Sequence, residues 1–99
     1  MKGSEIPQSQ IDEWKEQYDA VFRIGPTEQG FVAYARNATR QEISFCSTVK
    51  DPVRFNEALL NKCWLDGDEE IKSKDSIFMG LAGQIAQLMH SEEVKMEKL

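Results

Sequence analysis

The sequence predicts an α+β domain: an N-terminal helix, one β-hairpin at about 21–36, then three helices packed on one face of it. Three observations carry this expectation. Two short β-branched and aromatic runs, 21–24 and 31–36, flank a loop bounded by Gly25-Pro26 and Gly30. Helix-start signals stand at Thr39 and Asp51, and apolar residues from Ile77 to Met89 recur at helical spacing. A lone hairpin is marginal in water, so the helices must cover one of its faces.

Ninety-nine residues suit a single core, with 40% hydrophobic and 29% charged residues in a folded rather than disordered composition. The expected division is a flexible arm at 1–8, one domain at 9–90 and a charged tail at 91–99, either a helical extension or frayed. The formal charge is −5 and the pI near 4.8. Lys and Arg are scattered singly, without the concentrated basic footprint that phosphate backbones or anionic membranes require. Neither nucleic acid nor membrane is therefore expected as a partner. No export signal opens the sequence, which leads to the expectation of a cytoplasmic protein. Cys46 and Cys63, the two cysteines, are then expected as reduced, buried thiols.

Each element has its own local cause. Ser9 with Asp12 approximates a capping box, and Ile11, Trp14 and Tyr18 form one stripe, which predicts a helix over 9–19. The runs 21–24 and 31–36 supply the two strands, and Asn37-Ala38-Thr39 ends the second. Thr39 with Glu42 is a full capping box, so a helix should start at Arg40, although Ile43-Ser44-Phe45-Cys46 could also be read as a third strand. Asp51 can cap the next helix, with Pro52 at its first position, where a missing N–H costs nothing. Phe55, Ala58, Leu59 and Cys63 line its apolar face, and it should stop at Asp66-Gly67-Asp68. Residues 66–76 read as an acidic loop anchored by Ile71. Ser73 or Asp75 should cap the last helix, in which Gly80 and Gly83 each cost about 1 kcal/mol relative to Ala.

The residues that could carry chemistry do not assemble into a site. His90 is the sole histidine and stands beside the charged tail, without an orienting acid or a nucleophile in a known pattern. Both cysteines fall on apolar helix faces. A calcium loop beginning at Asp66 would need Gly at its sixth position and Glu at its twelfth, where Ile71 and Ile77 stand. Gly80-Leu81-Ala82-Gly83 lies inside a helix with no strand before it, unlike a phosphate-binding loop. The reading is of no catalytic residue, no metal and no cofactor. Protein binding is the expected work, with Trp64, Phe78, Gly80, Gly83, Leu88 and Met89 as the candidate contacts. The two glycines would let another backbone approach closely.

The run Leu59-Leu60-Asn61-Lys62-Cys63-Trp64-Leu65, followed by Gly67-Asp68-Glu69-Glu70-Ile71, resembles a pattern in small phage and prophage proteins of Bacteroidetes type. These are encoded among tail genes and resemble tail assembly chaperones. The helix containing Phe78-Met79-Gly80-Leu81-Ala82-Gly83-Gln84-Ile85 and the Lys98-Leu99 pair extend the likeness, which covers about 11–99. The resemblance implies a non-catalytic protein that holds an aggregation-prone tail component, a tape-measure or tail-tube protein, before assembly. The alternative is a structural or adaptor protein acting as a homo-oligomer through Gly80, Gly83 and Ala86.

Overall fold

The computed structural model describes residues 2–89 and 91–99. Its strands are β1 (Val21–Ile24), β2 (Ala33–Arg36) and β3 (Trp64–Gly67), in the order β1-β2-β3 and antiparallel throughout. The helices are α1 (Gln8–Gln17), α2 (Arg40–Cys46), α3 (Pro52–Cys63), α4 (Glu70–Ser73), α5 (Asp75–Gly80) and α6 (Ala82–Ile85). Short 3-10 turns cover Gly3–Glu5 and Ala86–Leu88. The α+β class and the hairpin stand as expected.

The Thr39 box forms in full. Glu42 N–H donates to the Thr39 hydroxyl at 3.2 Å, and Thr39 N–H donates to Glu42 Oε1 at 3.0 Å. The segment 43–46 is therefore helix and not strand. Asp51 Oδ1 accepts from Val53 N–H at 2.9 Å, with Pro52 in the first turn. The Ser9 cap does not form: Pro7 stands at the N-cap, and Asp12 accepts instead from Gln8 Nε2 at 3.0 Å.

The expected cap at Ser73 or Asp75 does not form, Lys74 standing at that N-cap, and the expected loop 66–76 contains α4. Three larger parts of the chain also differ from the sequence reading. First, α3 ends at Cys63, and Trp64–Gly67 turns into a third strand along β2. The cause is tertiary. Arg36 Nη2 donates to the Lys62 carbonyl at 2.8 Å, satisfying an acceptor that the helix end leaves open. Gly67, at φ 141°, then passes so close to Ala33 that a side chain there would collide with its Cα. Second, the long final helix is broken at Leu81 into α5, α6 and the Ala86–Leu88 turn. Two glycines and the turn weaken its continuity, and the break lets Phe78, Ile85 and Leu88 all reach one core. Third, the segment read as a loose arm is docked: Ile6 is buried, and Gly3 lies against the Val32 backbone.

Helical structure covers both faces of the sheet, not one. Side chains alternate along strands, so Phe22, Ile24, Ala35 and Trp64 face one side. There they join Leu59, Leu60, Cys63, Phe78, Ile85 and Leu88 in the main core. Tyr34 faces the other side with Ile6, Val32, Ile11 and Trp14, its ring 5.8 Å from that of Trp14. On β3, Trp64 joins the main core and Leu65 the other cluster, Leu65 being the extra residue of a bulge opposite Tyr34/Ala35.

Arg36 ties these parts together. Its guanidinium grips Glu42 with two bonds of 2.7 Å and donates to the Asn37 carbonyl at 3.0 Å. It also lies 5.4 Å from the centre of the Tyr18 ring. Hydrogen bonding from Arg36 holds the Glu42 carboxyl well below its ordinary value, at about 2. A depressed carboxyl stabilises the fold above its unfolded value near 4.5, and this contribution fades as pH falls from there toward 2. Glu42→Gln keeps the capping geometry and loses the charge. It should lower stability at neutral pH by about 2 kcal/mol, given the partly exposed pair. Urea titrations across pH should show the gap to wild type closing below pH 4.5; a gap of constant size at pH 7 and at pH 3 would contradict this account.

Candidate functional site

β1 lies at one edge of the sheet, and the hydrogen-bond parity fixes which of its backbone groups face outward. Asn37 N–H donates to the Ala20 carbonyl at 3.0 Å, while Ala20 N–H donates to the Asn37 side-chain oxygen. Residues 20 and 37 are therefore a hydrogen-bonded pair. In an antiparallel ladder such pairs alternate, so Phe22 with Ala35 and Ile24 with Ala33 are the bonded pairs. The opposite edge of β2 agrees: Asp68 N–H donates to the Val32 carbonyl at 2.9 Å, placing Val32 and Tyr34 toward β3. The N–H and C=O groups of Val21 and Arg23 consequently point away from the sheet. No other described backbone group pairs with them.

This edge forms one wall of a groove of about 860 Å³. Residues 21–29, β1 and the start of the hairpin loop, make this wall, and α5, α6 and the turn that follows make the far one. Ile77 and Leu81 supply apolar surface, with the almost fully buried Ile85 and Leu88 also in the lining. Ser76, Gln84 and Gln87 supply polar groups, and Arg23 and Glu28 supply charge. Arg23 is exposed on its strand. The hairpin loop holds its shape through Thr27, whose N–H donates to the Phe31 carbonyl at 3.0 Å and whose hydroxyl accepts from Phe31 N–H at 3.1 Å. An extended backbone beside outward N–H and C=O groups, with an apolar wall facing it, is suited to receive another extended chain.

The six candidate contact residues do not share one surface. Gly80 and Leu88 line the groove, although Leu88 is itself almost fully buried. Phe78 is buried in the main core, and Met89 is half-buried against it. Gly83 is exposed with open space around it and lies outside the groove lining. Because α5 and α6 are separate, Gly80, Gly83 and Ala86 do not form a stripe on one straight helix. Trp64 lies on β3, at the opposite edge of the sheet, half-buried with Lys72 Nζ 4.3 Å from its ring centre. Sequence reasoning missed Val21 and Arg23. Their outward placement depends on ladder parity and on β1 being an edge strand, and only the short run ending at Gly25-Pro26 hinted at it.

Among the described residues, no group of three or more His, Cys, Asp and Glu is placed to hold a metal ion. No helix of the described residues is long and apolar enough to cross a membrane. His90 lies outside the described residues. Both thiols are free and buried, and neither lines the groove. Burial pushes the Cys63 thiol up to about 11, outweighing the pull of nearby Arg36.

No protein-family model, curated protein or solved structure matches this chain.

A thiol this far above neutral pH is a poor nucleophile as well as an inaccessible one. Alkylation with iodoacetamide at pH 8 should proceed only through opening of the fold. Mass spectrometry should find the folded protein unmodified while a denatured sample reacts fully. Rapid modification of Cys63 in the folded state would contradict the burial described.

Proposed function

We propose that this chain is a non-catalytic protein-binding domain that receives a partner segment in the groove between β1 and α5–α6. One observation carries the reading: an apolar wall stands beside a strand edge whose Val21 and Arg23 backbone groups face outward. Ligand sites are concave, largely apolar and furnished with a few orienting polar groups. The groove meets that description with Ile77 and Leu81 on one side and backbone donors and acceptors on the other.

The partner class comes from the resemblance of about 11–99, carried by the run 59–71, to tail-assembly proteins of phages and prophages. On that reading the occupant is a segment of a tape-measure or tail-tube protein, held in the cytoplasm of a bacterial host until the tube forms. The formal charge of −5 argues against nucleic acid as the ligand.

Gly80 offers a clean test, because it lines the groove and nothing stands within 4 Å of where its side chain would begin. Gly80→Trp should fill the groove without unfolding the protein. Co-expression with a tape-measure protein should give a soluble complex with wild type and at least a roughly tenfold weaker one with the variant, a difference of about 1.4 kcal/mol. A tape-measure protein that stays equally insoluble with and without the chain would overturn the partner class. Undiminished capture by Gly80→Trp would overturn the groove.

A further inference from the structure

We infer that the β1 edge and its groove accept residues 93–97 of a second copy of this chain, added as an antiparallel strand. The inference uses the groove of the proposed function but assigns it an occupant of its own. Two features of the molecule complement each other. The first is the edge, with outward groups on Val21 and Arg23 and an apolar wall on the main-core face. The second is the segment 91–99, which has no helix or strand and is exposed along its length. Within it Val94 is 82% and Met96 99% exposed.

The chemistry of the segment fits the edge in three respects. Its apolar and charged residues alternate: Val94 and Met96 fall on one face of an extended strand, and Glu93, Lys95 and Glu97 on the other. The groove wall lies on the main-core side of β1, where Phe22 and Ile24 point, so Val94 and Met96 would face Leu81 and its neighbours. By the same parity the charged face falls beside Arg23, which points to the opposite side. A register with Glu93 or Glu97 next to Arg23 pairs opposite charges, which cross-strand neighbours favour.

Geometry selects a second copy over the chain's own segment. The Leu88 carbonyl accepts from Ala38 N–H, next to the Ala20–Asn37 pair, so Leu88 lies near the Val21 end of β1. Continuing directly along the edge from there, the chain's own segment would run from Val21 toward Ile24, parallel to the strand. A second copy can run antiparallel, the stronger ladder, and two copies can exchange segments about a twofold axis.

Sedimentation velocity over a range of concentrations tests this with three proteins: the full chain, Gly80→Trp, and the double variant Val94→Asp/Met96→Asp. The full chain should dimerise. Each variant alone should associate at least about tenfold more weakly. Val94 and Met96 are largely exposed in the monomer, so circular dichroism should show that the double variant stays folded. Mixing the two variants should restore a heterodimer, because one supplies an open groove and the other an intact segment. A full chain that remains monomeric, or variants that dimerise like wild type, would overturn the inference. So would a mixture that stays monomeric, or a monomer in which Val94 and Met96 are protected by the chain's own groove. A monomeric wild type that still solubilises a tape-measure protein would leave the proposed function standing and remove only this occupant.

Discussion

The guanidinium of Arg36 sits where four parts of the chain meet, and the arrangement of the domain depends on it. From the end of β2 it clamps Glu42 of α2 and takes the Lys62 carbonyl at the end of α3. The ring of Tyr18, just past α1, lies beside it. Each contact would be modest alone, but they share one planar cation, and Glu42 also closes the Thr39 capping box. Both partners are partly shielded, with side-chain exposures of 17% and 19%, so solvent screens the pair less than on an open surface. By ending α3 at Cys63, the cluster frees Trp64–Gly67 to run along β2. That strand makes a three-stranded sheet, and the sheet has two faces to cover.

The two faces and two edges are managed differently. Main-core helices cover one face, and α1 with the docked Gly3–Ile6 segment covers the other. At the β3 edge the chain turns directly into α4, with Asp68 bonded back to Val32 through both its backbone and its carboxylate. The β1 edge has no such cover among the described residues. It is short, ends at Gly25-Pro26 and carries Arg23, features that discourage indiscriminate strand pairing. A charged edge beside an apolar wall admits only a strand that can answer both. On the proposed reading, selective docking and resistance to aggregation would come from the same few residues.

Much of the fold was legible because its causes are local. The Thr39–Glu42 box, the Asp51-Pro52 start and the Val21–Ile24 run act within a few residues of one another, and each formed where expected. Ile71 proved to be the fully buried anchor of its acidic segment. What was not legible depends on distant partners. β3 has the sequence Trp64-Leu65-Asp66-Gly67, poor in β-formers, and it exists because Arg36 ends the helix before it and Ala33 admits Gly67. The docking of Gly3 and Ile6 likewise requires the Val32 backbone, far along the chain. The candidate contacts fared unevenly for the same reason: apolar spacing marks a face as buried or bound without distinguishing them. Phe78 and Leu88 turned inward, Gly80 opened onto the groove, and Trp64 went to the other edge.

The claim on which the binding account rests is that β1 is an open edge with its outward groups on Val21 and Arg23. Amide hydrogen exchange, followed by NMR on dilute monomer, reads those groups directly. The amides of Phe22 and Ile24 should be protected by the ladder to β2, while those of Val21 and Arg23 exchange fast and become protected only when a partner strand is added. Slow exchange at Val21 and Arg23 in the isolated monomer would mean that the edge is already covered, and the account would fail.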